Sequence, residues 1–195
     1  MATELEWKYA VPDKAQLDQI VSDTPGPWQE ISMESHYFDT TGGDLSARRW
    51  TLRMRKEGGE TVICLKTPAQ GQARGEWEWQ GDSLSLAIPH LIALGAPPEL
   101  AALTAARLLR EVCGAVFTRR CLRVVLDGAE AEIAADLGTM QGGWKQEALC
   151  ELEVEHKSGD SAVTEAFAQA LAQRYGLKPE AKSKFQRARA LASGT

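Results

Sequence analysis

The stretch Gln146–His156, Q-E-A-L-C-E-L-E-V-E-H, sets Glu151, Glu153 and Glu155 in strict alternation with Leu152 and Val154. Successive side chains of a β-strand point to opposite faces, so this run predicts a strand with carboxylates on one face and apolar groups on the other. The pattern recurs along the chain. Glu4, Glu6 and Lys8 alternate with Leu5, Trp7 and Tyr9, and Arg53 and Arg55 oppose Leu52 and Met54. Arg74, Glu76, Glu78 and Gln80 oppose Trp77 and Trp79, and Glu130 and Glu132 align with Asp136.

Two readings of these charged faces stay open on parity alone. A half-buried antiparallel sheet exposes a polar face to water. The runs here are sign-pure, however, and like charges two apart on one face repel. A concave polyanion site accounts for both signs: arginine forks grip phosphate oxygens, and carboxylates hold hard divalent cations such as Mg2+ or Mn2+. The apolar faces would then pack outward, under helices.

Strands are predicted at 4–11, 31–39, 50–55, 61–67, 74–80, 116–126, 129–136 and 146–156, with turns at Gly58-Gly59, Asp127-Gly128 and Gly142-Gly143. Pro12-Asp13 opens a short helix carrying Leu17, Ile20 and Val21. A helical insertion is expected over about 84–112, broken at Pro89 and Pro97-Pro98. Helices end the chain over about 161–192, the first capped by Asp160 or Ser161 and stopped by Gly176. This order predicts an α+β fold with a large meandering antiparallel sheet or barrel, as one domain over 1–195.

The chain has 195 residues and a net charge of −5, with 44% hydrophobic and 25% charged residues. That composition excludes disorder as the main state and argues against a dedicated nucleic-acid binder. No apolar run approaches the ~20 residues of a membrane span. The acidic N-terminus lacks the pattern of a signal peptide, so a cytoplasmic protein is expected. Cys64, Cys113, Cys121 and Cys150 form no CxxC pair and read as small apolar residues. His36 and His90 read as structural, and His156 suggests no role.

The motifs form an ordered series. Glu4-Leu5-Glu6-Trp7-Lys8 resembles the N-terminal ExExK signature of the CYTH domain, or triphosphate tunnel metalloenzyme, superfamily. Tyr37-Phe38-Asp39-Thr40, Leu52-Arg53-Met54-Arg55, Leu65-Lys66-Thr67 and Arg74-Gly75-Glu76-Trp77-Glu78 resemble its YFDT, LRxR, LKT and RxExE strands. Thr118-Arg119-Arg120, Ala135-Asp136-Leu137-Gly138, the Cys150–Glu155 run and Ser183-Lys184-Phe185 resemble its later elements. Among its members, the bacterial inorganic triphosphatases are the most similar; the second helical domain those often carry is not expected here.

The resemblance implies an eight-stranded antiparallel barrel with flanking helices, forming a charged tunnel for a triphosphate and divalent metal, with two metals possible. It implies that Lys8, Arg53, Arg55, Lys66, Arg120 and Lys184 contact phosphates, and that Glu4, Glu6, Asp136, Glu151 and Glu153 hold Mg2+ or Mn2+. Glu4, Glu6, Lys8 and Glu153 would carry catalysis. Glu76 and Glu78 would stand behind the basic residues. Arg119 competes with Arg120, Lys182 with Lys184, and Glu132 with Asp136. The expected reaction is hydrolysis of tripolyphosphate, with thiamine triphosphatase, class IV adenylate cyclase and a non-catalytic polyphosphate or nucleotide binder as alternatives. Trp28, Trp50 and Trp144 are candidate platforms for a thiamine ring. The expected partner is a small triphosphate, with neither long nucleic acid nor membrane, for a monomer or homodimer.

Overall fold

A computed structural model describes residues 5–70 and 73–193; Glu4 and the Arg74 side chain lie outside what it describes. The elements are β1 (Glu6–Ala10), α1 (Lys14–Asp23), β2 (Gln29–Thr40), α2 (Asp44–Ala47), β3 (Thr51–Glu57), β4 (Glu60–Gln70) and β5 (Ala73–Gln80). They continue as α3 (Leu84–Ala93), α4 (Glu99–Ala106), β6 (Leu109–Leu126), β7 (Ala129–Gly142) and β8 (Lys145–Gly159). α5 (Ser161–Tyr175), β9 (Lys178–Pro179) and α6 (Lys184–Ser193) close the order. All strands join one antiparallel sheet in the order β5-β4-β3-β2-β6-β7-β8-β1-β9. The expected α+β architecture is present, with the two-residue β9 added to eight longer strands.

Several strands run past their expected ends, β7 to Gly142 and β8 to Gly159, and two other boundaries differ for identifiable reasons. The helical insertion ends at Ala106, and β6 starts at Leu109 because Leu109–Cys113 pair with Tyr37–Thr40 across a bulge. Long-range pairing there overrides the helical spacing of the leucines. The last helix, expected over 180–192, starts at Lys184, because a capping box fixes its beginning: Ser183 Oγ accepts the Gln186 N–H at 3.2 Å, and Gln186 Oε1 accepts the Ser183 N–H at 2.9 Å. Asp13 and Asp160 cap α1 and α5 as read, each accepting a backbone N–H at 2.9 Å.

Two apolar clusters lie on the outward faces of the strands. Leu17 and Ile20 of α1 and Ala168 and Leu171 of α5 cover Ile133, Leu152 and Val154. Leu45, Leu91 and Leu100 of α2, α3 and α4 cover Leu52, Ile63 and Leu65. Fully burying side chains of this size stabilises by about 1.5–3 kcal/mol each. Asp39 belongs to this scaffold: its carboxylate accepts the N–H groups of Thr40, Leu45 and Ser46 and so shapes the entry to α2.

A third cluster lies on the opposite, charged face. Leu149 shares its side of β8 with Glu151 and Glu153, yet packs with Met33, Tyr37, Phe117, Met140 and Ala188 of α6. Phe185 and Leu191 join it from the same helix. The approach is close: a Cβ at Gly142 would stand 2.1 Å from the Ala188 carbonyl oxygen. One end of the inner face is therefore filled by α6 rather than by charge.

Candidate active site

Register builds one wall of the site. Arg119 of β6 pairs with Asp136 of β7, Asp136 with Glu151 of β8, and Glu153 with Lys8 of β1. Asp136 and Glu151 are 0% exposed and Glu153 is 8% exposed. Arg119 donates to both Asp136 oxygens, at 2.8 and 2.7 Å, and to Glu153 at 2.6 Å. Lys184 Nζ lies 2.8 Å from Asp136 Oδ2 and 2.9 Å from Glu153 Oε1, and it also bonds Glu151. Arg187 donates to Glu151 at 2.9 Å.

These contacts set the protonation of the wall. Burial alone would lower the pKa of Lys184, but Glu153, Asp136 and Glu151 outweigh it and raise it. Arg119 is raised by the same contest between burial and Asp136 with Glu153. Burial would raise Glu153, yet Lys184 and Arg119 hold it well below the usual carboxylate range. Glu151 is pushed up to about 7, by burial first, against the pull of Lys184.

The other wall is basic. Arg53 and Arg55 project from β3, Lys66 from β4, and Glu76 and Glu78 from β5, with Arg53 paired to Cys64, Cys64 to Glu78 and Lys66 to Glu76. Lys66 Nζ is 2.9 Å from Glu76. Glu78 is looser, 3.9 Å from each of Arg53 and Arg55. Among the described residues the buried Nε atoms of Arg53 and Arg55 have no hydrogen-bond partner; the Arg55 Nε lies 3.0 Å from Glu57 without the alignment of a bond. Buried donors without acceptors are costly, and an anion would satisfy them.

Two groups could hold a cation among the described residues, Asp136 with Glu151 and Glu153, and Cys64 with Glu76 and Glu78. The first offers only hard carboxylate oxygens, which suits Mg2+ or Mn2+. The second suits a cation poorly: burial pushes the Cys64 thiol up to about 12, and Lys66 already pairs with Glu76. Cys64 thus stands on the charged face, donating to Glu76 at 3.3 Å, rather than as a small apolar filler.

One expected inner residue is placed elsewhere. Arg120 does not reach the inner face; it pairs with Asp18 of α1 at 2.9 Å, and Arg119 takes the inner position. Leu122 and Val124 share Arg120's side of β6 and pack outward, a parity signal that identifies the outer face. Asp136 lies mid-strand in β7, whereas Glu132 pairs with Arg123 and Lys157 at 3.5 Å. Lys184 enters the cluster, and Lys182 uses its backbone N–H on Glu180. Glu6 is exposed at the sheet edge, 4.0 Å from Lys8, whose side chain is only 10% exposed. Sequence reasoning missed Arg187, which lies one helical turn from Lys184. It also missed Tyr37, whose ring meets Phe185 at 5.1 Å. Trp28 and Trp50 pack against the outer clusters, and Trp144 is fully exposed at the β7–β8 turn. His90 stacks on Trp79 and His156 bonds Thr164.

The CYTH domain family matches residues 2–188. The chain belongs to the CYTH domain family. Solved structures share this CYTH fold. The PH1819 protein of Pyrococcus horikoshii is 20% identical, covers 94% of this chain and 97% of its own, and has a TM-score of 0.60. HpAC1 of Hippeastrum, a candidate adenylyl cyclase described as having a dominant triphosphatase activity, is 18% identical over 98% of this chain and 96% of its own, with a TM-score of 0.62. A candidate adenylate cyclase of Bacillus halodurans is 14% identical over 95% and 96%, with a TM-score of 0.59. No helix among the described residues of this CYTH chain is long and apolar enough to cross a membrane.

Proposed function

We propose that this CYTH chain hydrolyses inorganic tripolyphosphate to pyrophosphate and orthophosphate in a Mg2+- or Mn2+-dependent reaction. The observation that carries the reading is the basic wall: two buried arginine Nε donors with no hydrogen-bond partner among the described residues, on the same face as three convergent carboxylates. Arg53, Arg55 and Lys66 grip the phosphate oxygens through charge-assisted hydrogen bonds and hold the chain of phosphates extended. Glu78 keeps Arg53 and Arg55 in place without neutralising them, since it stands off at 3.9 Å, and Glu76 holds Lys66 at 2.9 Å. Asp136, Glu151 and Glu153 would hold the metal ion. When bound, that ion supplies charge neutralisation and polarises the water that attacks the terminal phosphorus. Lys8, opposite Glu153 in the register, adds a positive charge beside the carboxylates. The protein's contribution is positioning and electrostatics. The triphosphatase activity described for the Hippeastrum protein supports the reaction class.

Orthophosphate release from tripolyphosphate, thiamine triphosphate and ATP, each with Mg2+, Mn2+ or chelator, tests the proposal. Metal-dependent release fastest with tripolyphosphate, and lost in Glu153→Gln, is expected. Cyclic AMP from ATP without orthophosphate release would move the reading to a cyclase. Tight binding without turnover would move it to a binding module.

A further inference from the structure

The three carboxylates able to hold a metal ion already hold a cation, the ammonium of Lys184. Its Nζ lies within 2.9 Å of Asp136 and Glu153 and bonds Glu151 as well. The oxygens of those three groups lie within 4.8 Å of one another. A divalent cation needs oxygens at roughly 2.0–2.6 Å, so it and the ammonium claim the same space. Charge leads to the same conclusion. Lys184, Arg119 and Arg187 set three cations against the three carboxylates; Arg119 shares Asp136 Oδ2 with Lys184 and holds Glu153 Oε2, and Arg187 holds Glu151 Oε2. A metal ion added beside Lys184 would leave two uncompensated positive charges in a buried site, which is strongly unfavourable.

We infer that Lys184 is an exchangeable internal cation: it neutralises the carboxylate wall in the metal-free protein and must withdraw its ammonium for a divalent ion to bind. This rests on the proposed function for the identity of the ion, and on the geometry for the exchange. The exchange does not require α6 to leave. Phe185, Ala188 and Leu191 anchor the helix in the apolar end of the inner face. Lys184 sits at its first position, on a flexible four-carbon stem. Withdrawn, the ammonium is free to meet an anion on the same face. A lysine that blocks metal alone but serves metal and triphosphate together couples the two ligands, and such coupling is reciprocal.

The test is Mn2+ binding without substrate, by calorimetry, for the parent, Lys184→Met and Lys182→Met. Lys184→Met keeps the stem and removes the charge. It is expected to bind Mn2+ about tenfold or more tighter than the parent, and to melt lower without metal and recover with it. Lys182→Met is expected to match the parent. Equal or weaker Mn2+ binding by Lys184→Met, or equal tightening in both variants, overturns the exchange. Should Lys184→Met not fold without metal, the parent alone decides: amine labelling of Lys184, read by mass spectrometry, should rise several-fold at saturating Mn2+. Unchanged labelling overturns the inference. Tripolyphosphate hydrolysis that persists while these outcomes fail removes the exchange and leaves the activity. Exchange without hydrolysis removes the activity and leaves the exchange. No Mn2+ binding by any of the proteins overturns both.

Discussion

The two walls of the inner face carry similar charges but satisfy them differently. On the β6–β7–β8 wall the carboxylates of Asp136, Glu151 and Glu153 are each met by a cation at 2.6–2.9 Å. On the β3–β4–β5 wall the Glu78 bridges stretch to 3.9 Å and two arginine Nε donors have no hydrogen-bond partner among the described residues. The first wall is a closed network, which under the proposed exchange a metal ion enters by displacing Lys184. The second holds Lys66 on Glu76 but leaves the Arg53 and Arg55 Nε donors without a hydrogen bond among the described residues. A buried charge network stabilises the fold only while complete, since losing one partner strands the others. Loose bridges contribute little to stability and leave the cations available for binding.

Mutations can break that contrast. The largest effect is expected from Asp136→Ala, which strands Arg119 and Lys184 in a buried site and should cost about 3–5 kcal/mol in urea unfolding. Arg53→Ala should behave in the opposite way. Its stability should change by less than about 1 kcal/mol, while tripolyphosphate affinity, measured by calorimetry, falls about 10- to 100-fold. Equal destabilisation by the two substitutions would erase the distinction between the walls.

Smaller changes sharpen it. Phe185→Ala removes a partly buried ring from the apolar end and should cost about 2 kcal/mol. Proteolysis should then begin at α6 while β3–β5 remain protected. The smallest effect is expected at His36, between Glu34 at 2.9 Å and Glu111 at 3.0 Å on the sheet exterior. Burial would lower its pKa, but the two carboxylates outweigh it and raise it above 6.5. Its contribution is therefore full below pH 6.5 and lost as the pH rises through the raised folded value. Because both partners are substantially exposed, the gain is only about 0.5 kcal/mol. Comparing urea unfolding of the parent and His36→Gln at about pH 5.5 and about pH 8.5 should show a difference only at the lower pH.

Much of this was legible in the sequence. Alternation alone identified the Glu151–Glu153 face, the Arg53–Arg55 face and the apolar sides beneath the helices. Asp13, Asp160 and Gly176 marked helix ends through local hydrogen bonding and backbone geometry. Arg120 shows where local reading failed. Two adjacent arginines cannot share a strand face; Leu122 and Val124 beside Arg120 carried the phase of β6 as a local signal, and pairing with β7 fixes it at Arg119–Asp136.

The sequence by itself determined the strand periods, the sign of each face and the caps, because these depend on neighbours within a few residues. Only the tertiary structure decided that α6 fills one end of the charged face and that Lys184 occupies the carboxylate seat. Those features arise from packing between segments distant in the chain: Ala188 against Gly142, and Lys184 against Asp136, Glu151 and Glu153. No local period encodes which face of a sheet a distant helix will cover, because that choice is set by the apolar area and charge the whole fold leaves open.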